Sequence, residues 1–118
     1  MVKNIFRRDK PGFVEGRHFT DHVERVKQLK KEGRHDKAIK LLLKLVAATE
    51  TESKESEGPS GVAPWYYEQL AIIYRKEKQY GDEVAILERY EKQPKAQGAS
   101  PGKLAKRLKQ ARTLRSSN

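Results

Sequence analysis

No cysteine occurs among the 118 residues, so the chain can form neither a disulfide nor a thiolate metal site. No run approaches the roughly 18 apolar residues that a membrane-crossing helix needs. The opening residues, Met-Val-Lys-Asn-Ile-Phe-Arg-Arg-Asp-Lys, lack the apolar centre of a secretory leader, so a cytoplasmic protein without membrane contact is expected. No stretch alternates apolar and polar with period 2, and glycine and proline fall at gaps between apolar runs. Both features predict an all-α fold. Neither Gly-x-Gly-x-x-Gly nor Gly-Lys followed by Ser or Thr is present, so these two phosphate-cradling loops are absent. Between Lys95 and Asn118 there is no acidic residue at all.

Charge is what the chain has in quantity. Charged residues make up 36% of it, as many as the hydrophobic ones, and the net charge is +10. The surplus is uneven: residues 95–118 carry +7 and residues 1–18 carry +3, whereas residues 49–63 carry −3. Such asymmetry points to an acidic partner, whether a protein, a nucleic acid or an anionic surface, although it also serves solubility. The length suits one domain, which buries roughly two-thirds of its unfolded surface around one modest core.

The stretch from Val62 to Pro94 organises the chain. Pro64 suits a first helical position, and Tyr67, Leu70, Ala71 and Tyr74 then recur at the 3, 4 and 7 spacing of one helical face. After Lys78-Gln79 the pattern restarts with Tyr80, Val84, Leu87 and either Glu91 or Tyr90, and Pro94 ends it. Upstream, residues 1–18 read as an irregular arm broken at Pro11-Gly12 and Gly16, with Ile5, Phe6, Phe13 and Val14 laying it on the domain. A helix is expected from Phe19 to Glu32, a turn at Gly33, and a second, largely apolar helix from Asp36 to Ala48. Residues 49–63 form an acidic insert, read either as an extra turn of helix or as a loop, its composition favouring a loop toward Gly58-Pro59. After a linker, Ser100-Pro101 opens a last helix over 100–116, with Leu104, Ala105, Leu108, Ala111 and Leu114 as a narrow apolar stripe.

An aromatic, a Leu-Ala pair, a second aromatic, a turn and an aromatic opening the next helix resemble the tetratricopeptide (TPR) repeat. The resemblance covers residues 19–116 and extends to short bacterial TPR-like proteins of unassigned activity. It implies two helical hairpins, 19–48 and 64–94, a C-terminal capping helix, and together a fragment of a right-handed superhelix in one domain over 19–118. Leu29 and Tyr74 are equivalent but 45 apart, against a family period of about 34. Lys78 stands where the family has Gly, and Glu83 where it has a small residue that packs the two helices.

Little in the chain suggests catalysis. His18 and His22 lie four apart, the spacing of two metal ligands on one helix, but the glycine in Glu15-Gly-Arg-His18 breaks the helical geometry. The same holds for Glu32-Gly-Arg-His35. Glu68, Glu83 and Glu88 have no neighbouring nucleophile. No catalytic residue, metal or cofactor is expected, and the chain reads as a non-enzymatic protein.

By the resemblance, the first helix of each hairpin lines a concave groove. Lys27, Lys30 and Lys31 then make its basic end, and Trp65, Ile72, Arg75 and Lys76 its second wall. The expected function is an adaptor binding an acidic or apolar segment of a protein. The alternative is an accessory protein that tracks phosphates without sequence preference through Lys103, Lys106, Arg107, Lys109 and Arg112 of the last helix, together with the basic arm. The last helix carries no aromatics to stack on bases, which disfavours tight nucleic-acid binding.

Overall fold

Residues 10–56 and 61–117 are described by the computed structural model. Five α-helices carry the fold: α1 (Val23–Lys31), α2 (His35–Glu55), α3 (Pro64–Lys76), α4 (Tyr80–Glu91) and α5 (Ser100–Ser117). Each packs on the next in sequence, and α3 also touches α5. The class is all-α. Among the described residues no helix is long and apolar enough to cross a membrane.

One short sheet precedes the helices, contrary to the expected irregular arm. β1 (Phe13–Val14) pairs antiparallel with β2 (Arg17–His18), Phe13 opposite His18 and Val14 opposite Arg17. Glu15 and Gly16 between them have φ of 53° and 81°, the positive pair that a primed hairpin turn requires. Two residues per strand are too few to leave an alternation in the sequence. A 3-10 turn, Phe19–His22, then replaces the expected first turn of α1. The His22 ring donates to the Val14 carbonyl at 2.9 Å, and the Tyr66 hydroxyl donates to the Phe19 carbonyl at 3.2 Å, so this turn is fixed to β1 and to α3. Ile5 and Phe6 of the expected arm lie outside the described residues.

The two helical hairpins repeat one backbone geometry at an interval of 45 residues. After α1, Gly33 (φ 70°) donates to the Lys30 carbonyl at 3.0 Å and Arg34 to the Leu29 carbonyl at 2.9 Å. After α3, Lys78 (φ 59°) donates to Arg75 at 3.0 Å and Gln79 to Tyr74 at 2.8 Å. Both are Schellman closures, in which a left-handed residue lets the chain satisfy the last carbonyls of the helix. The departure at Lys78 is therefore one of side chain only. In the same register Ala38 and Glu83 are each fully buried, one turn into α2 and α4.

The excess over a short repeat is absorbed by α2, which has 21 residues against 12 in α4. It runs through Glu55, so the first part of the acidic insert is helix rather than loop. The reason is tertiary. Thr49 is buried and its hydroxyl accepts from the Ala63 amide at 2.9 Å. Glu50 takes two hydrogen bonds from Arg89 of α4, both 2.8 Å, and a third from the Tyr67 hydroxyl at 2.8 Å. Glu52 lies 2.6 Å from His18. Residues 57–60 of the insert lie outside the described residues. Its far end is closed by a backbone approach: Val62 donates to the Pro94 carbonyl at 3.0 Å, and a Cβ on Gly61 would stand 2.1 Å from the Ala96 nitrogen.

One hydrophobic core runs through the stack. Val26, Leu42, Leu45, Tyr67, Leu70, Ile73, Val84 and Leu87 are at its centre, and Leu104, Leu108 and Ala111 of α5 close its end over α4. The Tyr67 and Tyr90 rings pack 5.0 Å apart at the α3–α4 seam, deep enough that burial raises the protonation range of both phenols.

Candidate functional site

The charged side chains of α1, α3 and α5 meet on one face. Its centre is Gln69-Glu68 on α3, reached from both sides. From α1, Lys30 Nζ donates to Gln69 Oε1. From α5, Lys103 Nζ lies 2.8 Å from Glu68 Oε2. Two turns further along α3 stand Arg75 and Lys76. Burial holds the Lys30 ammonium below the ordinary lysine range; the nearby Lys76 adds to this and Glu68 opposes it.

Arg75 turns away from Lys30 and into its own hairpin. Its Nε donates to Glu83 Oε1 at 3.0 Å, and a second nitrogen lies 2.8 Å from Oε2. Arg107 of α5 brings its Nε to 3.1 Å from the same Oε2, an ion-pair contact without the alignment of a hydrogen bond. Arg75 also donates to the Arg107 carbonyl at 3.4 Å and to Gln110 at 3.5 Å. Burial, then Arg75, push the Arg107 guanidinium below its ordinary range, while Glu83 and Glu68 hold it up. The cause of this asymmetry between hairpins is the buried position itself. Lys30 and Arg75 are equivalent in the 45-residue register, but position 38 offers Lys30 an alanine where position 83 offers Arg75 a carboxylate. Lys30 reaches the neighbouring hairpin instead.

The two sets of basic residues expected from the sequence are thus not separate surfaces. Lys30 and Lys76 from the groove set share a face with Lys103 and Arg107 from the tail set. Lys27 and Lys31 lie exposed on α1, Lys27 being 3.5 Å from Glu24. Trp65 packs edge-on to Tyr66 with centroids 5.0 Å apart and lies against the core, and Ile72 is half-buried. Arg112 is drawn to the α4 side, 3.0 Å from Glu88. Lys106 and Lys109 are exposed. Gln69 was not singled out from the sequence. Its signal there is a polar residue inside the apolar run Tyr66-Tyr67 to Leu70-Ala71, where a buried position needs a hydrogen-bond partner.

The histidines do not converge. His18 sits between the Thr20 amide, which donates to Nδ1 at 3.4 Å, and Glu52. His22 is taken up by the Val14 carbonyl, and His35 pairs with Glu77. Among the described residues no three His, Asp or Glu side chains gather as a metal set. A cleft of about 530 Å³ between β1 and α2, lined from Lys10 to Glu55, lies away from the charged face. The clustered charges rather than this cleft mark the candidate site.

Comparisons with models of protein families, with curated proteins and with solved structures return no match. The functional reading therefore rests on the face itself.

Proposed function

We propose that the protein is a non-enzymatic, cytoplasmic adaptor of TPR-like build, and that its α1–α3–α5 face takes up an acidic segment of a protein partner. The repeated hairpin closure, the order of packing along the chain and the contact of α3 with α5 support a TPR-like stack, whose first helices share a surface and which α5 caps. The observation that carries the binding reading is the crowding of like charges. Lys30 lies near Lys76 and Arg75 near Arg107, with only Glu68 and Glu83 among them as counter-ions. Cations held together at a partly desolvated face favour an incoming anion.

The nucleic-acid reading is weaker on this geometry. Phosphate tracking needs cations free to replace counter-ions. Arg107, one of its five residues, is committed to the fully buried Glu83 and is not free to do so.

Lys30 of α1 and Lys103 of α5 reach adjacent residues of α3, Gln69 and Glu68, so one short extended segment can meet both. The test is titration of labelled decaglutamate and triglutamate, with oligothymidylate as the competing class, at about 150 mM salt. Decaglutamate should bind best, and Lys30→Glu/Lys76→Glu should weaken it by at least about tenfold. Preference for oligothymidylate, or indifference to the double reversal, would overturn the reading.

A further inference from the structure

Glu68 stands out on the α1–α3–α5 face because one carboxylate answers cations from two other helices. Its Oε2 is 2.8 Å from Lys103 of α5, and its charge also acts on Lys30 of α1 and on Arg107 of α5. Its side chain is 19% exposed, so it fills the centre of the face rather than its rim. Glu83, the other acid there, is fully buried and held by two arginines, and no ligand can reach or replace it. Glu68 therefore occupies the position that a partner's carboxylate would take beside Lys103.

We infer that Glu68 is a built-in competing anion: an acidic segment binds by displacing its carboxylate from Lys103, and Glu68 sets how acidic a segment must be to bind. This rests on the docking reading above. Lys103 is 66% exposed, so its pair with Glu68 is a surface ion pair that adds little to stability and opens readily. A neutral or singly charged segment gains too little to displace it, because it loses one carboxylate contact for each that it makes. A segment with several closely spaced acids meets Lys30, Lys76 and Lys103 together and prevails. The resident carboxylate thus acts against weakly acidic chains, a repulsive element of specificity.

The experiment is binding of labelled decaglutamate to the full chain and to Glu68→Gln, with Glu88→Gln as the charge-matched control. Glu88 pairs with Arg112 on the α4 side, so its neutralisation changes net charge equally without touching the face. Thermal melts establish that all variants stay folded. Glu68→Gln should tighten decaglutamate by about three- to tenfold and Glu88→Gln by less than about twofold. It should also admit a mixed Glu-Ser decamer that the unaltered protein binds poorly. If decaglutamate binds, and Lys30→Glu/Lys76→Glu abolishes it, but Glu68→Gln gains no more than Glu88→Gln, the competing-anion role is overturned and the docking face stands. Absence of binding in both the unaltered protein and Glu68→Gln overturns both. A gain confined to oligothymidylate overturns the assignment to an acidic protein segment.

Discussion

The Glu83 carboxylate is fully buried 2.8 Å from Arg75, eight residues before it on the other arm of the α3–α4 hairpin. Arg107 closes on it from α5 at 3.1 Å. The position that a helical hairpin usually gives to a small residue thus holds a charge bridging three helices. Removing one partner of a buried pair costs more than the pair contributes, since the remaining charges stay desolvated. Glu83→Ala is expected to destabilise the protein by about 3–5 kcal/mol in urea unfolding. Adding Arg75→Leu and Arg107→Leu should recover most of that loss. A neutral Glu83→Ala would mean that both arginines reach water unaided.

How far these features were legible depends on whether the signal was local. Pro64, Pro101 and the stripes of Tyr67, Leu70 and Tyr74 or Leu104 and Leu108 marked α3 and α5, because apolar spacing at 3.6 per turn survives any tertiary context. The end of α2 was legible only in part: composition favours a loop toward Gly58-Pro59 and leaves an extra turn of helix open before it, and what holds that helix through Glu55 is tertiary, with Thr49, Glu50 and Glu52 meeting Ala63, Arg89, Tyr67 and His18. The β1–β2 hairpin is too short to show a period. On the face, Lys30 and Lys76 could be named from helical spacing. That Arg75 would leave them for Glu83 across the hairpin turn, and that Lys103 would join them from another helix, depended on tertiary packing.

Lys78 offers a test of the repeated closure. It holds φ of 59°, which a side chain strains and glycine does not. Lys78→Gly is expected to raise stability by about 0.5–1 kcal/mol, and Gly33→Ala at the equivalent turn to lower it by about 1 kcal/mol. Nothing within 4 Å would meet a Cβ at Gly33, so that loss would report backbone strain alone. Opposite signs are required; two losses would show that the turns differ.

Alkaline pH should unfold the protein through its tyrosines. Burial, with a smaller push from Asp21, raises Tyr66 from 10.0 to about 12, and burial also raises Tyr67, Tyr74 and Tyr90. A phenol whose folded range lies above its unfolded one contributes stability fully below the unfolded value and loses it as pH climbs through the folded value. Stability should therefore hold to about pH 10 and fall between there and about 12. Phenolate absorbance and helical circular dichroism should change together. Ionisation of these four near pH 10 with the helix intact would contradict their burial.

The capping role of α5 is tested by Leu108→Ala. Leu108 is 2% exposed against the end of the core, so the truncation should cost about 2–4 kcal/mol. Unchanged stability would make α5 an appendage and release its cations for other partners.

Reversing charge where it is free separates the two partner classes most directly. Reversal of all five tail residues would confound binding with folding, because Arg107 is held against the fully buried Glu83 of α4. Lys106 and Lys109 are exposed and can be reversed without that risk. Lys106→Glu/Lys109→Glu lowers net charge by as much as Lys30→Glu/Lys76→Glu, so a long-range field would respond equally to both. The face predicts inequality. Decaglutamate affinity should fall at least about tenfold with the Lys30/Lys76 reversal and no more than about threefold with the tail reversal, which only slows encounter. Any oligothymidylate binding should be weak and fall steeply from about 50 to 200 mM salt. Tight oligothymidylate binding at about 150 mM salt, lost on tail reversal and indifferent to Lys30 and Lys76, would transfer the function to the outer side of α5.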